Sequence, residues 1–126
     1  MDKKISIITP SYNQGRFIED SIISVMNQGY KNYEHIIIDG VSKDNTIEIL
    51  NKYKHIKWIS EKDTGQTDAL KKALKLTTGE IIGWLNADDY YYENIFSEIN
   101  DIFIDDETDA IYANLDYVNK NKEKIK

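Results

Sequence analysis

Short apolar runs alternate along the chain with longer stretches in which apolar residues recur at helical spacing. The runs predict five strands, at residues 4–8, 35–38, 57–59, 81–85 and 110–113. The longer stretches predict four helices, at residues 16–28, 42–50, 64–77 and 92–103. We expect the first strand to end at Thr9-Pro10-Ser11, and the first and third helices to end at Gly29 and Gly79.

The predicted strands are continuously apolar instead of alternating between apolar and polar residues. Together with the intervening helices, this pattern favours a parallel sheet that is covered on both faces. The fold class is therefore α/β, a three-layer α/β/α fold with a mostly parallel sheet. In such sheets, ligands bind beyond the carboxyl ends of the strands, so the residues that follow each strand are the candidate functional residues.

Composition narrows the function classes. The chain has 126 residues with a formal net charge of −6, which fits one domain that buries a single core. The absence of cysteine excludes disulfides, Cys-ligated zinc and thiol nucleophiles. The acidic balance, with Arg16 as the only arginine, argues against nucleic acid as a partner. No apolar run has the roughly 20 residues of a membrane span and no signal peptide is apparent, so we expect a cytoplasmic protein.

Acidic and small polar side chains follow the predicted strands. Asp39 follows the second strand, Asp63 the third, and Asn86, Asp88 and Asp89 the fourth. Carboxylates repel phosphate directly, but they hold a hard divalent cation that bridges phosphate oxygens. The arrangement therefore predicts a site for a metal ion and a diphosphate.

The sequence lacks the motifs of other nucleotide-binding sites. Neither the glycine-rich dinucleotide fingerprint nor the P-loop occurs in the sequence. A phosphoacceptor receiver domain needs acids after the first strand, and residues 9–13 contain none. His35 and His55 have no metal-ligand spacing, so we interpret them as structural or solvated residues.

Four segments resemble the ordered motifs of family 2 glycosyltransferases with the GT-A fold. Three are residues 8–13 (ITPSYN), 37–46 (IIDGVSKDNT) and 79–89 (GEIIGWLNADD). The fourth, residues 59–70 (ISEKDTGQTDAL), resembles a subgroup that is often found in polysaccharide and lipopolysaccharide assembly. The resemblance extends from about residue 4 to residue 117. It implies transfer of a sugar from a nucleotide diphosphate sugar to an acceptor, commonly with Mg²⁺ or Mn²⁺.

The resemblance also implies roles on the nucleotide side of the site. Thr9, Pro10 and Tyr12 would line the nucleotide pocket, with Tyr12 near the base. Asp39 would contact the base or the ribose. The segment from Asp63 to Asp68 would border the same pocket, and both of its acids are counted among the residues that bind the nucleotide sugar.

On the metal side, Asn86, Ala87 and Asp88 occupy the D-x-D position of the family. Asp88 would bind the metal, Asn86 would approach the ribose or sugar, and Asp89 would contact the sugar or support Asp88. Two departures from the family pattern stand out. Many relatives have a second acid where this chain has Gly40, which leaves the identity of the base open. Asn86 replaces the first acid of D-x-D, so the metal would rest chiefly on Asp88.

The same resemblance suggests that the chain is the N-terminal, nucleotide-sugar-binding half of the transferase. We assign this half to residues 1–117, and residues 118–126 to a Lys-rich tail or truncation end. The catalytic base and the segment that binds a glycan or lipid-linked acceptor are expected beyond Lys126. The chain alone should then bind the donor weakly and transfer nothing. Peripheral association with the inner face of the membrane, through regions outside the chain, is a further expectation.

Two other functions stay open on the sequence. One is a non-catalytic nucleotide-binding or scaffolding domain, and the other is a metal-dependent phosphate hydrolase. Single residues also have purely structural interpretations: Asp44 as a helix cap, Asp39 as a turn residue, and Asp88 and Asp89 as helix-start acids. Aromatic packing is the favoured role for residues 90–92, and Trp58 and Trp84 are predicted to be core residues.

Overall fold

A computed structural model describes residues 2–125. Strands and helices alternate along it: β1 (Ile5–Ser11), α1 (Ile18–Met26), β2 (Tyr33–Asp39), α2 (Thr46–Lys52), β3 (Lys57–Ser60), α3 (Gln66–Leu74), β4 (Ile81–Trp84) and α4 (Ile95–Phe103). The four strands form a sheet in the order β3-β2-β1-β4, with each neighbouring pair parallel. The predicted α/β class with a parallel sheet is confirmed.

Both faces of the sheet carry buried apolar side chains. On one face, Ile5 and Ile7 of β1 pack with Val25 of α1 and Phe96 of α4. On the other face, residues of β1 and β2 pack with α3 in a cluster of Ile8, Ile36, Ile38, Ala69 and Ala73. Successive strand residues point to opposite faces, so a strand that is covered on both sides must be apolar throughout. This explains the continuous apolar runs of the sequence.

The first strand is longer than predicted and includes Pro10. It continues to Ser11, where the backbone N–H of Gly40 donates to the Ser11 carbonyl. Pairing with β4 stops at Ile8, opposite Trp84. Neighbouring residues of a parallel strand form hydrogen bonds with the strands on opposite sides of it. Ser11 faces β2, so residue 10 faces the β4 side, where strand pairing has already ended at Ile8. A proline is tolerated there, since no ladder bond is lost.

Two predictions at the β4 side of the sheet are wrong. Residues 110–113 form no strand, and the side chain of Tyr112 is 98 % exposed. Trp84 is 55 % exposed instead of lying in the core. β4 is an edge strand, and α3 packs against β1 and β2 and leaves this face of β4 uncovered. Trp58 is partly buried against the cluster that contains Ile37, as expected of a packing residue.

Helix boundaries differ from the predictions by a few residues. α4 begins at Ile95 instead of residue 92, because Asn94 adopts a left-handed conformation with φ 60°. In the Lys-rich segment, Val118 and Lys124 form an isolated antiparallel bridge, and Lys122 Nζ lies 3.0 Å from Asp20 Oδ1 of α1. The division of the chain at residue 117 stays a prediction. Within residues 2–125, no helix has the length and hydropathy needed to cross a bilayer.

Candidate functional site

A cavity of about 250 Å³ lies at the carboxyl end of β1, between that strand and the start of α3. Its walls include Pro10, Tyr12 and Asp63 from the predicted site, together with Gln14 and Gln66. The cavity therefore lies where ligands bind to parallel α/β sheets. Predicted site residues from the carboxyl ends of β1 and β3 therefore lie together in this cavity.

Tyr12 and Asp63 give this cavity its aromatic and acidic character. The Tyr12 side chain is 57 % exposed, so its ring is available for stacking. Asp63 is partly buried, and its Oδ1 accepts a hydrogen bond of 3.0 Å from the Gly65 N–H. A Cβ at Gly40 would lie 2.9 Å from Asp63 Oδ2. The Asp63 carboxylate thus occupies the space into which a side chain at position 40 would project.

Asn86 is held by two donors at the end of β4. Its Oδ1 accepts hydrogen bonds from Trp84 Nε1 at 2.8 Å and from Gln66 Nε2 at 3.0 Å. The amide nitrogen then faces Asp89, with 3.5 Å between Asn86 Nδ2 and Asp89 Oδ2. Gln66 joins this group to the cavity. Because the Asn86 oxygen already accepts two hydrogen bonds, the amide N–H groups are the part of this side chain that is left to bond a ligand.

Asp88 and Asp89 are exposed acids on the loop that follows β4. Desolvation of its carboxyl group and then the charge of Asp88 raise the pKa of Asp89 above its usual value, although the bond from Asn86 acts in the opposite direction. Two neighbouring carboxylates form a place where a cation is electrostatically favourable.

These residues fit a metal ion that arrives together with a diphosphate. Residues 2–125 contain no group of three or more His, Cys, Asp or Glu side chains that could hold a metal by themselves. Mg²⁺ binds through one or two carboxylates, substrate phosphates and water, and it requires hard oxygen ligands. The carboxylates of Asp88 and Asp89 meet that description.

Two residues that were predicted to bind the nucleotide sugar are fully buried. Thr9 is fully buried, and its Oγ1 lies 2.7 Å from Nε2 of the equally buried His35. Asp39 is also fully buried, and its carboxylate accepts hydrogen bonds from the Ser42 N–H, the Ser42 hydroxyl and the Ser60 hydroxyl. These bonds use the polar groups of both side chains internally. His35 has the structural role that the sequence indicated.

Ala87 and Asp68 have structural surroundings as well. Ala87 is 4 % exposed and belongs to the apolar cluster of α1 and α2. Asp68 Oδ2 accepts the Thr64 N–H at 3.1 Å and lies 3.4 Å from Lys72 Nζ. The Thr64 N–H, followed by Lys72, lowers the pKa of Asp68. Asp68 thereby fixes the loop before α3 that carries Asp63.

The structure thus sorts the predicted residues into three groups. Pro10, Tyr12 and Asp63 share the cavity, and Asn86 is joined to it through Gln66. The acids after β4 lie on the neighbouring loop. The buried or cavity-remote residues are Thr9, Asp39, Asp68 and Ala87.

Sequence reasoning included Gln66 only as part of the segment that borders the pocket, whereas the structure shows that its side chain donates to Asn86. Its position directly after Gly65, inside the fourth motif, was the available signal. A second cavity of about 430 Å³ lies between α1 and residues 90–93, and none of the predicted site residues lines it.

Comparison with known proteins identifies a family. The sequence model described as Glycosyl transferase family 2 matches residues 6–126. TuaG of Bacillus subtilis (strain 168), a glycosyltransferase that its name places in teichuronic acid biosynthesis, is 37 % identical over 91 residues, or 68 % of this chain and 36 % of TuaG. The Escherichia coli UDP-Glc:alpha-D-GlcNAc-diphosphoundecaprenol beta-1,3-glucosyltransferase WfgD is 33 % identical over 95 % of this chain and 49 % of its own length. The chain therefore spans about a third to a half of these relatives.

Solved structures share the fold. S. aureus TarS 1–349 in complex with UDP-GlcNAc superposes with a TM-score of 0.70 and 26 % identity, covering 82 % of this chain and 31 % of that one. The mannosyltransferase PcManGT of Pyrobaculum calidifontis, in complex with GDP-Man and Mn²⁺, gives a TM-score of 0.72 at 23 % identity, covering 81 % and 32 %. The GT-A fold expected from the sequence is confirmed, and relatives with this fold include structures with a nucleotide sugar and Mn²⁺.

Proposed function

Because the chain belongs to glycosyltransferase family 2, we propose that it forms the nucleotide-sugar-binding part of a transferase that acts in cell-surface polysaccharide assembly. The donor is a nucleotide diphosphate sugar. The observation that supports this most directly is the cavity at the carboxyl end of β1, which combines Tyr12, Pro10 and Asp63. The names of TuaG and WfgD place those relatives in cell-wall or lipid-linked glycan synthesis.

The nucleoside occupies the cavity in this proposal. The exposed ring of Tyr12 stacks on the base, Pro10 lines the same wall, and Asp63 accepts a hydrogen bond from the base or ribose. Thr9, Asp39 and Asp68 support this pocket from below and from the side through the hydrogen bonds described above.

The diphosphate and sugar extend from the cavity toward the loop after β4. Asn86 Nδ2 donates to a ribose, sugar or phosphate oxygen, and Ala87 keeps the loop close to α1. Asp88 is the protein ligand of a divalent ion, Mg²⁺ or Mn²⁺, with Asp89 beside it. When bound, the ion neutralises the negative charge that grows on the departing diphosphate.

The acceptor is a glycan or a lipid-linked sugar in the full-length protein. The base that deprotonates its hydroxyl, and any contact with the inner face of the membrane, belong in this proposal to the part of the relatives that this chain does not span. The name of WfgD, which includes an undecaprenol diphosphate acceptor, supports a lipid-linked acceptor and therefore a site of action next to a membrane.

Calorimetric titration with UDP and GDP, with and without Mn²⁺, tests the proposal. We expect weak binding that Mn²⁺ strengthens, and loss of the Mn²⁺-dependent part in Asp88→Ala. Asp105→Ala removes an exposed acid in the turn after α4 and should leave binding unchanged. Unchanged Mn²⁺ dependence in Asp88→Ala would refute the metal assignment.

The same titration, together with assays of phosphate release and of sugar transfer, distinguishes the alternative functions. Binding that is equally strong without Mn²⁺ indicates a non-catalytic nucleotide-binding domain, and release of inorganic phosphate indicates a hydrolase. Sugar transfer by this chain alone would contradict the placement of the base outside it.

A further inference from the structure

The loop after β1 is tied to the loop after β2 by hydrogen bonds from three consecutive backbone amides. The N–H of Asn13 donates to Ser42 Oγ at 2.8 Å, that of Gln14 to Thr46 Oγ1 at 3.1 Å, and that of Gly15 to Asp44 Oδ2 at 2.9 Å. A fourth bond returns from the Lys43 N–H to Asn13 Oδ1 at 2.8 Å. We call this set of bonds between residues 13–15 and 42–46 the loop clasp.

The acceptors of the loop clasp are themselves fixed. Ser42 donates its hydroxyl and its backbone N–H to the buried carboxylate of Asp39, which also accepts from Ser60 at the end of β3. Asp44 Oδ1 accepts the N–H of Thr46 at 2.9 Å and also its hydroxyl. A continuous series of hydrogen bonds therefore runs from β3 through Asp39 and Ser42 to Asn13.

The two loops also touch closely. A Cβ on Gly15 would overlap Asn45 Oδ1 and would lie 3.0 Å from Asp44 Oδ2, so a side chain at position 15 would displace both of these side chains. Asn13 adopts a left-handed conformation with φ 51°, which costs energy for a residue with a side chain. The contacts of the loop clasp hold it there.

Tyr12 lies between β1 and this clasp. Ser11 before it is the last residue of β1, and Asn13 after it is held on both its N–H and its side chain. The ring of Tyr12 is 57 % exposed and lines the cavity, so few contacts of its own fix its direction. The backbone on either side therefore sets the direction in which this side chain leaves the chain.

We propose that Ser42 and Asp44 are positioning residues that hold Tyr12 in the geometry required for nucleotide binding. Asp39 acts through Ser42 in the same way, as a support of the loop clasp. This inference rests on the proposed function, because it assigns the clasp to the nucleotide pocket. It predicts that residues which do not touch the nucleotide control its affinity.

Affinity for UDP and GDP in the presence of Mn²⁺ tests this role. Ser42→Ala and Asp44→Ala each remove one acceptor of the clasp, and each should raise Kd about fivefold to tenfold, since one hydrogen bond is worth on the order of 1 kcal/mol. Ser42→Thr keeps the hydroxyl and should restore most of the affinity. Asp105→Ala, which removes a similar side-chain acceptor from the Glu107 N–H, is the control and should bind like the wild type.

A double-mutant cycle with Tyr12→Ala separates positioning from general stability. If Ser42 acts through Tyr12, Ser42→Ala has no further effect on Kd once Tyr12 is alanine. Independent, additive losses would overturn the inference even if nucleotide binding itself is confirmed. A loss of affinity that Ser42→Thr fails to restore would also overturn it.

Amide hydrogen exchange distinguishes failure of the clasp from failure of the proposed function. The amides of residues 13–15 should be protected in the wild type and exchange faster in Asp44→Ala, with the β-sheet amides unchanged. Unprotected amides in the wild type would overturn the clasp. Protected amides in a protein that binds no nucleotide would overturn the proposed function and, with it, the positioning role.

Discussion

Asn86 stands where the family pattern has an acid, and its oxygen is engaged by Trp84 and Gln66. Asn86→Asp would keep an acceptor for both donors and add a negative charge beside Asp88 and Asp89. We expect tighter Mn²⁺ binding, by about threefold to tenfold in Kd, because a neighbouring carboxylate favours a divalent cation. Titration with Mn²⁺ in the presence of UDP measures the effect. Asn86→Ala is the control, and equal Mn²⁺ affinity in all three proteins would contradict a metal next to this residue.

Gly40 is a second residue whose identity affects the site. The Cβ of Gly40→Ala would lie 2.9 Å from Asp63 Oδ2, so the carboxylate must move. Since the end of an aspartate side chain shifts easily, we expect a change in free energy of unfolding below about 1 kcal/mol but nucleotide binding about threefold weaker or more. Binding and thermal unfolding of Gly40→Ala, Asp63→Ala and the double variant measure this. A double variant clearly weaker than Asp63→Ala would show that Gly40 acts elsewhere.

Among the secondary-structure elements, α4 depends on a side chain that is distant in sequence. Gln28, 2 % exposed, accepts the N–H groups of Ile95 and Phe96 at 2.8 and 3.2 Å, and it donates to the carbonyls of Ser24 and Tyr92. Gln28 thus caps the start of α4, where the N-cap residue itself forms no side-chain hydrogen bond, and it joins α4 to the end of α1.

Gln28→Ala should therefore destabilise the protein. Loss of the side chain leaves buried backbone groups without partners, and we expect the free energy of unfolding to fall by about 2–3 kcal/mol. Urea unfolding provides the measurement. Asn27→Ala, at the neighbouring exposed position, should change it by less than about 0.5 kcal/mol. Similar effects of the two substitutions would contradict the capping role.

At the scale of the whole molecule, two buried ionisable groups on β2 link stability to pH. Burial, with a smaller effect of His55, lowers the pKa of His35 from 6.5 to about 3. Burial alone would raise the pKa of Glu34, but hydrogen bonds from Lys57, Ser6 and Thr78 outweigh it and lower this pKa to about 2. The folded state therefore binds fewer protons than the unfolded state at acidic pH.

Stability should decrease in two pH ranges. Below about pH 6.5 the unfolded chain protonates His35 while the folded state does not, so stability falls by up to about 1.4 kcal/mol per pH unit until the pH approaches 3. Between about pH 4.5 and 2, protonation of Glu34 adds a second loss. Chemical unfolding from pH 8 to pH 3 measures both. His35→Gln should flatten the decrease above pH 4.5 and Glu34→Gln the steeper part below it. An unchanged slope in His35→Gln would exclude His35 as its source.

The structure contains four of the five predicted strands and all four predicted helices, because each of these elements has a local signature of apolar spacing. It was wrong about residues 110–113 and about Trp84. An apolar run indicates an extended, packed segment, but only the fold determines whether a partner strand or a covering helix is within reach. β4 pairs with β1 on one side only, and within residues 2–125 no strand lies beyond it and α3 leaves its Trp84 face uncovered.

The sequence by itself determined the α/β class and the edge of the sheet that carries the site. Parallel strands end at the same edge, so polar residues after successive strands must meet there. Only the tertiary structure decided which of those residues line the cavity. Asp39 and Asp63 both follow strands, but Asp39 is buried under Ser42 and Ser60 while Asp63 lines the cavity. Two of the three bonds to Asp39 come from nearby Ser42, but the third comes from Ser60 on β3, and no local pattern encodes that contact between strands.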